Sequence, residues 1–208
     1  LSNASKSGLK RKFKKIDGKV KIDLEITDKI DDGVLAEIYP LYLQTHERQD
    51  IGMEKLGPDF FINITRNMPR QIKYFLWRME AKIVAFSLCF VSEDYFIDYY
   101  LGFDYSVAHE FGLYFIRFRD MMKWCIDHSI KVYEMGQTSY EAKRRLGFDF
   151  IRLYIYAKHR NRLMTSRALT PAGKTGPAGP AGVGGDGGAS SASRRVFWRA
   201  CGSGSVAQ

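Results

Sequence analysis

The alternation of apolar and polar positions marks out most of the chain. In "KVKIDLEIT", Val20, Ile22, Leu24 and Ile26 fall on one face at period two, which predicts a strand. In "DDGVLAEIYPLYLQTHER", Leu35, Ile38, Tyr39, Tyr42 and Leu43 recur at helical spacing behind a capping aspartate. Pro40 lies inside that helix and is expected to kink or split it, because proline lacks the amide the ladder needs. "GPDFFINITRNMP" reads as a short helix with Pro58 in its first turn. Three aromatic and β-branched runs follow, "QIKYFLWRM", "KIVAFSLCFV" and "YFIDYYLGF". Short polar turns at Glu80-Ala81 and Ser92-Glu93-Asp94 separate them, so they form an antiparallel meander. "EFGLYFIRFRDMMKWCIDHS" is a long apolar-periodic helix, "IKVYEM" a strand, "SYEAKRRLG" a short helix stopped by Gly147, and "DFIRLYIYAKH" a final strand. The order β-α-α-β-β-β-α-β-α-β predicts one mixed α/β domain over residues 19–165.

Composition agrees with a globular body: 45% of residues are hydrophobic and 14% aromatic, enough for a real core in 208 residues. The net charge of +9 is uneven. Residues 1–21 hold eight Lys/Arg against one Asp, and residues 166–208 hold five against one. The body between them is near neutral, which argues against a folded surface built as a broad nucleic-acid face. The basic leader, residues 1–18, reads as a solvated arm or interdomain linker, or as an arm that touches phosphates. The chain begins at Leu1 and reads as a fragment or a processed chain. Its apolar runs are too short to span a bilayer. Cys89, Cys125 and Cys201 suggest neither a disulfide framework nor a zinc site, and the expected setting is a reduced cytoplasmic one. The four histidines, at 46, 109, 128 and 159, have no metal-ligand spacing, so no metal is expected.

Residues 166–208 differ from the body. Glycines recur at period three from Gly173 to Gly188, but a few triplets do not make a collagen helix, and a disordered low-complexity tail is expected. "ALTPAGKT" has the outline of a phosphate-binding loop, yet it lacks the flanking strand and helix that such a loop works between.

The chemistry concentrates in "MGQTSYEAKRRLGFDF", where a tyrosine and a lysine three apart open a helix directly after a strand. With "YLGFDYS" and the long helix before it, this string resembles the C-terminal half of a GNAT-superfamily acyltransferase. It is similar in particular to the group related to the Fem peptidoglycan transferases and the peptidoglycan biosynthesis/recognition proteins. The leader "LKRKFKK" also resembles the basic segment that precedes such a domain in longer members, some of which carry a preceding GNAT-like unit. The fold implied is an α/β one, a GNAT-like mixed, splayed β-sheet flanked by helices.

The resemblance also implies a site. An acyl-CoA arm would lie in the gap between "YFIDYYLGF" and "IKVYEM", with the backbone of Leu101, Phe103 and Tyr105 as partners. Its pyrophosphate would meet amides opening the long helix, whose N–H groups lack intrahelical partners, at His109, Gly112 and Leu113. "HEFGLY" departs from the family's Q/R-x-x-G-x-G/A signature by placing Tyr114 at the last small position. Tyr140 would protonate the leaving thiolate, and Lys143, one turn on, would hold phosphate or developing negative charge. Tyr140 as a packed ring and Lys143 as a solvated or Glu141-paired cation are the plainer readings. Arg144 and Arg145 read as a solvated face, and Glu134 as an outward-facing strand carboxylate or a base for an amine. Trp77 and Trp124 read as core.

The function expected is transfer of an acyl group from acyl-CoA to an amine acceptor, a small molecule or a cell-wall precursor, without a covalent enzyme intermediate. The alternatives are a Fem-type transferase that takes its donor from aminoacyl-tRNA, bound in part by the leader, and an inert GNAT-like binding module.

Overall fold

Strand β1 (Ile22–Thr27) pairs antiparallel with β2 (Ile72–Met79), from Ile22↔Met79 to Thr27↔Tyr74. The meander continues through β3 (Lys82–Val91) and β4 (Tyr95–Phe103). These are three of the strands expected from the aromatic runs, joined at the expected turns. Glu80 takes the left-handed conformation, φ 58°, in the first turn. In the computed structural model the described residues are 20–48, 55–136 and 140–152, six positions between 7 and 14, and the strand 194–199. The chain divides into two compact units, Leu1–Asp149 with Val196–Gln208, and Phe150–Arg195; the architecture below concerns the first.

Helix α1 (Asp32–His46) starts at Asp31, whose carboxylate accepts the Val34 amide at 2.8 Å. It runs through Pro40 as one helix rather than two. Pro40 and Ala36, whose carbonyl loses its usual donor, both lie on the exposed side, where the carbonyl is open to water. Helix α2 (Pro58–Asn67) has proline in its first turn, as expected. Both helices cover one face of the sheet. Ile38, Leu41 and Tyr42 of α1 and Phe61 of α2 form a core with Ile72, Tyr74, Leu76, Phe86 and Leu88. Gly102 is the tightest point. A Cβ there would lie 2.5 Å from the Leu41 carbonyl carbon and 2.6 Å from the Tyr42 nitrogen, so the α1 backbone rests directly on β4.

The expected long helix is broken. Helix α3 (Tyr105–Phe111) ends at Gly112, φ 59°, and α4 (Leu113–Asp127) starts from the same residue. Apolar periodicity continues across the break, so the pattern alone reads as one helix, while the glycine supplies the positive φ that divides it. Helix α4 covers the other face of the sheet. Trp124 packs on Phe75 and Phe96 with ring centroids at 5.7 and 5.4 Å, and the buried Trp77 indole donates to Asp120 at 2.9 Å.

Strand β5 (Val132–Glu134) runs parallel to β4. Helix α5 (Tyr140–Arg145) follows; Gly147 takes φ 84°, and β6 (Asp149–Arg152) comes next. The strand expected over "DFIRLYIYAKH" is therefore seen in its first four residues, and the rest lies outside the described residues. The sheet order through the meander is β1-β2-β3-β4-β5, with β7 (Arg194–Arg199) antiparallel to β5 from Val132↔Arg199 to Glu134↔Phe197. Strand β7 was not among the elements expected. "RRVFWR" is the one stretch of the Gly/Pro-rich region that joins a β-branched residue to two aromatics. The "ALTPAGKT" loop lies outside the described residues.

Candidate active site

Parallel pairing between β4 and β5 covers only Tyr95↔Val132, Phe96↔Tyr133 and Ile97↔Glu134. Strand β5 then ends, while β4 continues six residues to Phe103, still paired with β3 on its other side. The β3–β4 register also shifts between Leu88↔Tyr100 and Cys89↔Asp98, which leaves Tyr99 as a bulge. From Asp98 onward the backbone edge of β4 has no partner strand among the described residues, a break in the sheet called the slot below. This is the gap expected between "YFIDYYLGF" and "IKVYEM".

Helix α1 reaches into the far end of this edge. The Phe103 amide donates to Thr45 Oγ1 and the Tyr105 amide to Gln44 Oε1, both at 3.3 Å. Two of the three backbone positions expected to serve an acyl-CoA arm thus already have side-chain partners, while Leu101 lies half-buried within the slot. The Tyr105 ring carries the Arg48 guanidinium at 4.2 Å. Asp104 caps α3 through the Ser106 amide and is bridged by Lys82 at 2.8 Å, which holds its carboxyl below the usual range. His109 is exposed in the last turn of α3, and the Leu113 side chain is core. Of the positions expected to meet the pyrophosphate, the amides opening α4 after Gly112 are the ones suited to an anion among the described residues. The Tyr114 ring, at the position where the signature has a small residue, lies 5.9 Å from Arg117. Its hydroxyl is buried without a hydrogen-bond partner among the described residues.

A second group gathers at the narrow end of the slot. Asp98 on β4 forms a buried ion pair with Arg117 on α4, whose side chain is only 2% exposed and which also donates to Ser87 Oγ at 3.3 Å. Burial raises the Asp98 carboxyl above its ordinary value despite the guanidinium. Lys143 projects from α5 into this region and is only 3% exposed, so the solvated reading fails. Its Nζ donates to the carbonyls of Met135 at 2.6 Å and Gly136 at 3.2 Å. Desolvation lowers its pKa to about 8, against the attraction of Asp98. Glu134 is also buried, 6% exposed, which corrects its reading as an outward-facing carboxylate: the short β5 is covered on both faces. Arg144 is exposed, as expected of a solvated face. Tyr140 opens α5, but its side chain, like Gln137–Ser139 before it, lies outside the described residues.

Asp98, Arg117, Gln44, Thr45 and Arg48 were not singled out in the sequence. For two of them a signal exists: Asp98 interrupts an aromatic strand and Arg117 an apolar helix face, and such charges need partners. The thiols of Cys89 and Cys125 are buried and pushed up, the latter to about 12, so neither suits nucleophilic catalysis. No cluster of three metal-ligating side chains occurs among the described residues. None of the described helices is long and apolar enough to cross a membrane.

Residues 4–144 match the family model of the acetyltransferase (GNAT) domain. The chain belongs to the GNAT acetyltransferase family. Its enzyme class is therefore acyltransferase, and the family's donor is acetyl-CoA. Among solved structures, Ard1 from Thermoplasma volcanium is similar at TM-score 0.50 and 11% identity, over 64% of this chain and 87% of that one. An acetyltransferase from Streptococcus agalactiae aligns at TM-score 0.47 and 14% identity, over 84% and 96%. The Campylobacter jejuni N-acetyltransferase PseH, in complex with acetyl coenzyme A, aligns at 0.45 and 10%, over 86% and 99%. At 11% identity the likeness to Ard1 concerns the fold alone. No curated protein matches the chain.

Proposed function

We propose that this GNAT domain transfers an acyl group from an acyl-CoA to an amine acceptor by direct attack in the slot between β4 and β5. The observation that carries the proposal is the end of β4–β5 pairing at Ile97↔Glu134, after which β4 at Leu101 has no partner strand on that side among the described residues, as an extended amide-bearing arm would need. Bound acyl-CoA supplies the activated thioester. The chain supplies the rest. The Leu101 backbone pairs with the arm, and the amides after Gly112 face its pyrophosphate. Tyr140 gives its phenolic proton to the departing sulfur and is restored by the proton that the attacking amine sheds. Direct transfer needs no enzyme nucleophile, in keeping with two buried, inert thiols.

The finer kinship with Fem-type transferases rests on "GQTSYEAKRRLG", and with it come a cell-wall amine as acceptor and aminoacyl-tRNA as the competing donor. The leader favours that competitor, since eight basic residues within 21 suit phosphates. Calorimetry with acetyl-CoA, longer acyl-CoAs and charged tRNA, followed by thiol-release assays over a panel of amines, tests the reading. Saturable acyl-CoA binding with amine-dependent thiol release is expected. Binding of charged tRNA alone, weakened and less salt-dependent after removal of residues 1–18, would replace acyl-CoA as the donor. Binding without turnover on any amine would leave a binding module.

A further inference from the structure

We propose that Lys143 is a positioning residue: by gathering the Met135 and Gly136 carbonyls onto one ammonium, it turns the chain out of β5 and keeps the slot beside β4 open. The proposal rests on reading that slot as the donor site.

Successive carbonyls of an extended strand point to opposite sides. One atom can bond two consecutive carbonyls only where the strand has been abandoned. Lys143 Nζ does this, at 2.6 Å to Met135 and 3.2 Å to Gly136. Gly136 supplies the required backbone, φ 67°, which other residues rarely adopt. Because alternate carbonyls of a strand face the same neighbour, one of this pair would be the next acceptor for a β4 amide if β5 continued. Lys143 removes it from the ladder. The Tyr99 bulge disturbs β4 at the matching level, so each strand carries its own device for ending the pairing.

The ammonium is held by its two carbonyls against its surroundings: burial disfavours the charge most, Arg117 from α4 opposes it too, and Asp98 from β4 and Glu134 from β5 favour it. The lysine issues from the first turns of α5, the helix that Tyr140 opens, so the same bonds tie the start of that helix to the strand exit. Where a role in holding phosphate or developing negative charge was expected, the Lys143 ammonium is buried and bonded to backbone. It acts on the donor through the shape of the slot.

Lys143→Met keeps the unbranched stem, one atom shorter, and removes the donor. Acetyl-CoA affinity, measured by calorimetry where the variant is fully folded, should fall at least ten-fold. A solely stabilising lysine would lower the melting temperature and leave that affinity within two-fold, which would overturn the proposal. Gly136→Ala perturbs the same turn while keeping the lysine. Among the described residues the new Cβ meets no atom closer than the Asp98 carbonyl oxygen at 3.8 Å, so the strain it adds is that of φ 67°. It should weaken binding by about three-fold and serves if Lys143→Met does not fold. Should the wild type bind no acyl-CoA, the donor reading fails and amide exchange decides the remainder. Faster exchange at Gly136 and altered exchange at Leu101 in either variant support the clamp, and unchanged exchange at both overturns it.

Discussion

Gly102→Ala is the sharpest test of how α1 is seated on the sheet. Backbone strain is not the issue, because Gly102 has no positive φ. The new methyl would stand 2.5 Å from the Leu41 carbonyl carbon, 2.5 Å from the Phe86 ring and 2.6 Å from the Tyr42 nitrogen. Ordinary contact begins near 3.4 Å, so something must move by about 0.9 Å. Phe86 is wholly buried, and the other two atoms are helix backbone. Neither side is a flexible tip that yields cheaply. Overpacking of this kind costs about 1–3 kcal/mol, and a clash with main chain belongs at the upper end. Alanine recovers about 0.4–1 kcal/mol by restricting the unfolded chain. A net loss of about 2 kcal/mol corresponds to a fall of roughly 4–8 °C in melting temperature for a chain of this size. Moving α1 by that distance also carries Thr45 and Gln44 away from the Phe103 and Tyr105 amides, whose bonds are already 3.3 Å long. Calorimetric melting and amide exchange at Phe103 and Tyr105 report both consequences. A melting point within 2 °C of wild type, with both amides still protected, would refute the seating described.

Tyr140→Phe should reduce single-turnover acyl transfer at saturating donor by about 10²-fold while donor affinity stays within a few-fold, and a wild-type rate would remove Tyr140 as proton donor. Lys143 has a folded pKa of about 8 against 10.5 unfolded, so the unfolded chain holds more protons between those values. Stability should therefore rise with pH through that window by up to about 1.4 kcal/mol per pH unit, a gain that urea denaturation should find missing in Lys143→Met. Arg117→Met strands a buried carboxylate and should cost about 3–5 kcal/mol. Because burial already raises Asp98, the folded variant takes up a proton as pH falls, so its deficit should narrow on acidification; a constant deficit in denaturant titrations would show that Asp98 is not the cause.

The meander, the two helices before it and the helix after Tyr140 were legible because period and turn chemistry agree locally along those segments. Pro40 does not split its helix, because its cost depends on whether the orphaned carbonyl meets water, which only the finished surface decides. The division at Gly112 was hidden because apolar periodicity runs through it, and a lone glycine in a helical pattern is compatible with continuation. The slot was inferred from a resemblance, but its cause lies in contacts distant in sequence: a bulge at Tyr99 fixed by β3, and a lysine eight residues beyond Met135. Lys143 shows the difference most clearly. In the string "YEAKRRLG" it is one of three bases, and nothing local separates it from Arg144. Helical geometry then places position 143 inward and position 144 in solvent. An ammonium turned inward must find acceptors or lose its proton. It finds the two carbonyls released where β5 ends, and the end of β5 is in turn what those bonds secure. Neither the charge nor the strand break explains itself from sequence, because each is the other's partner.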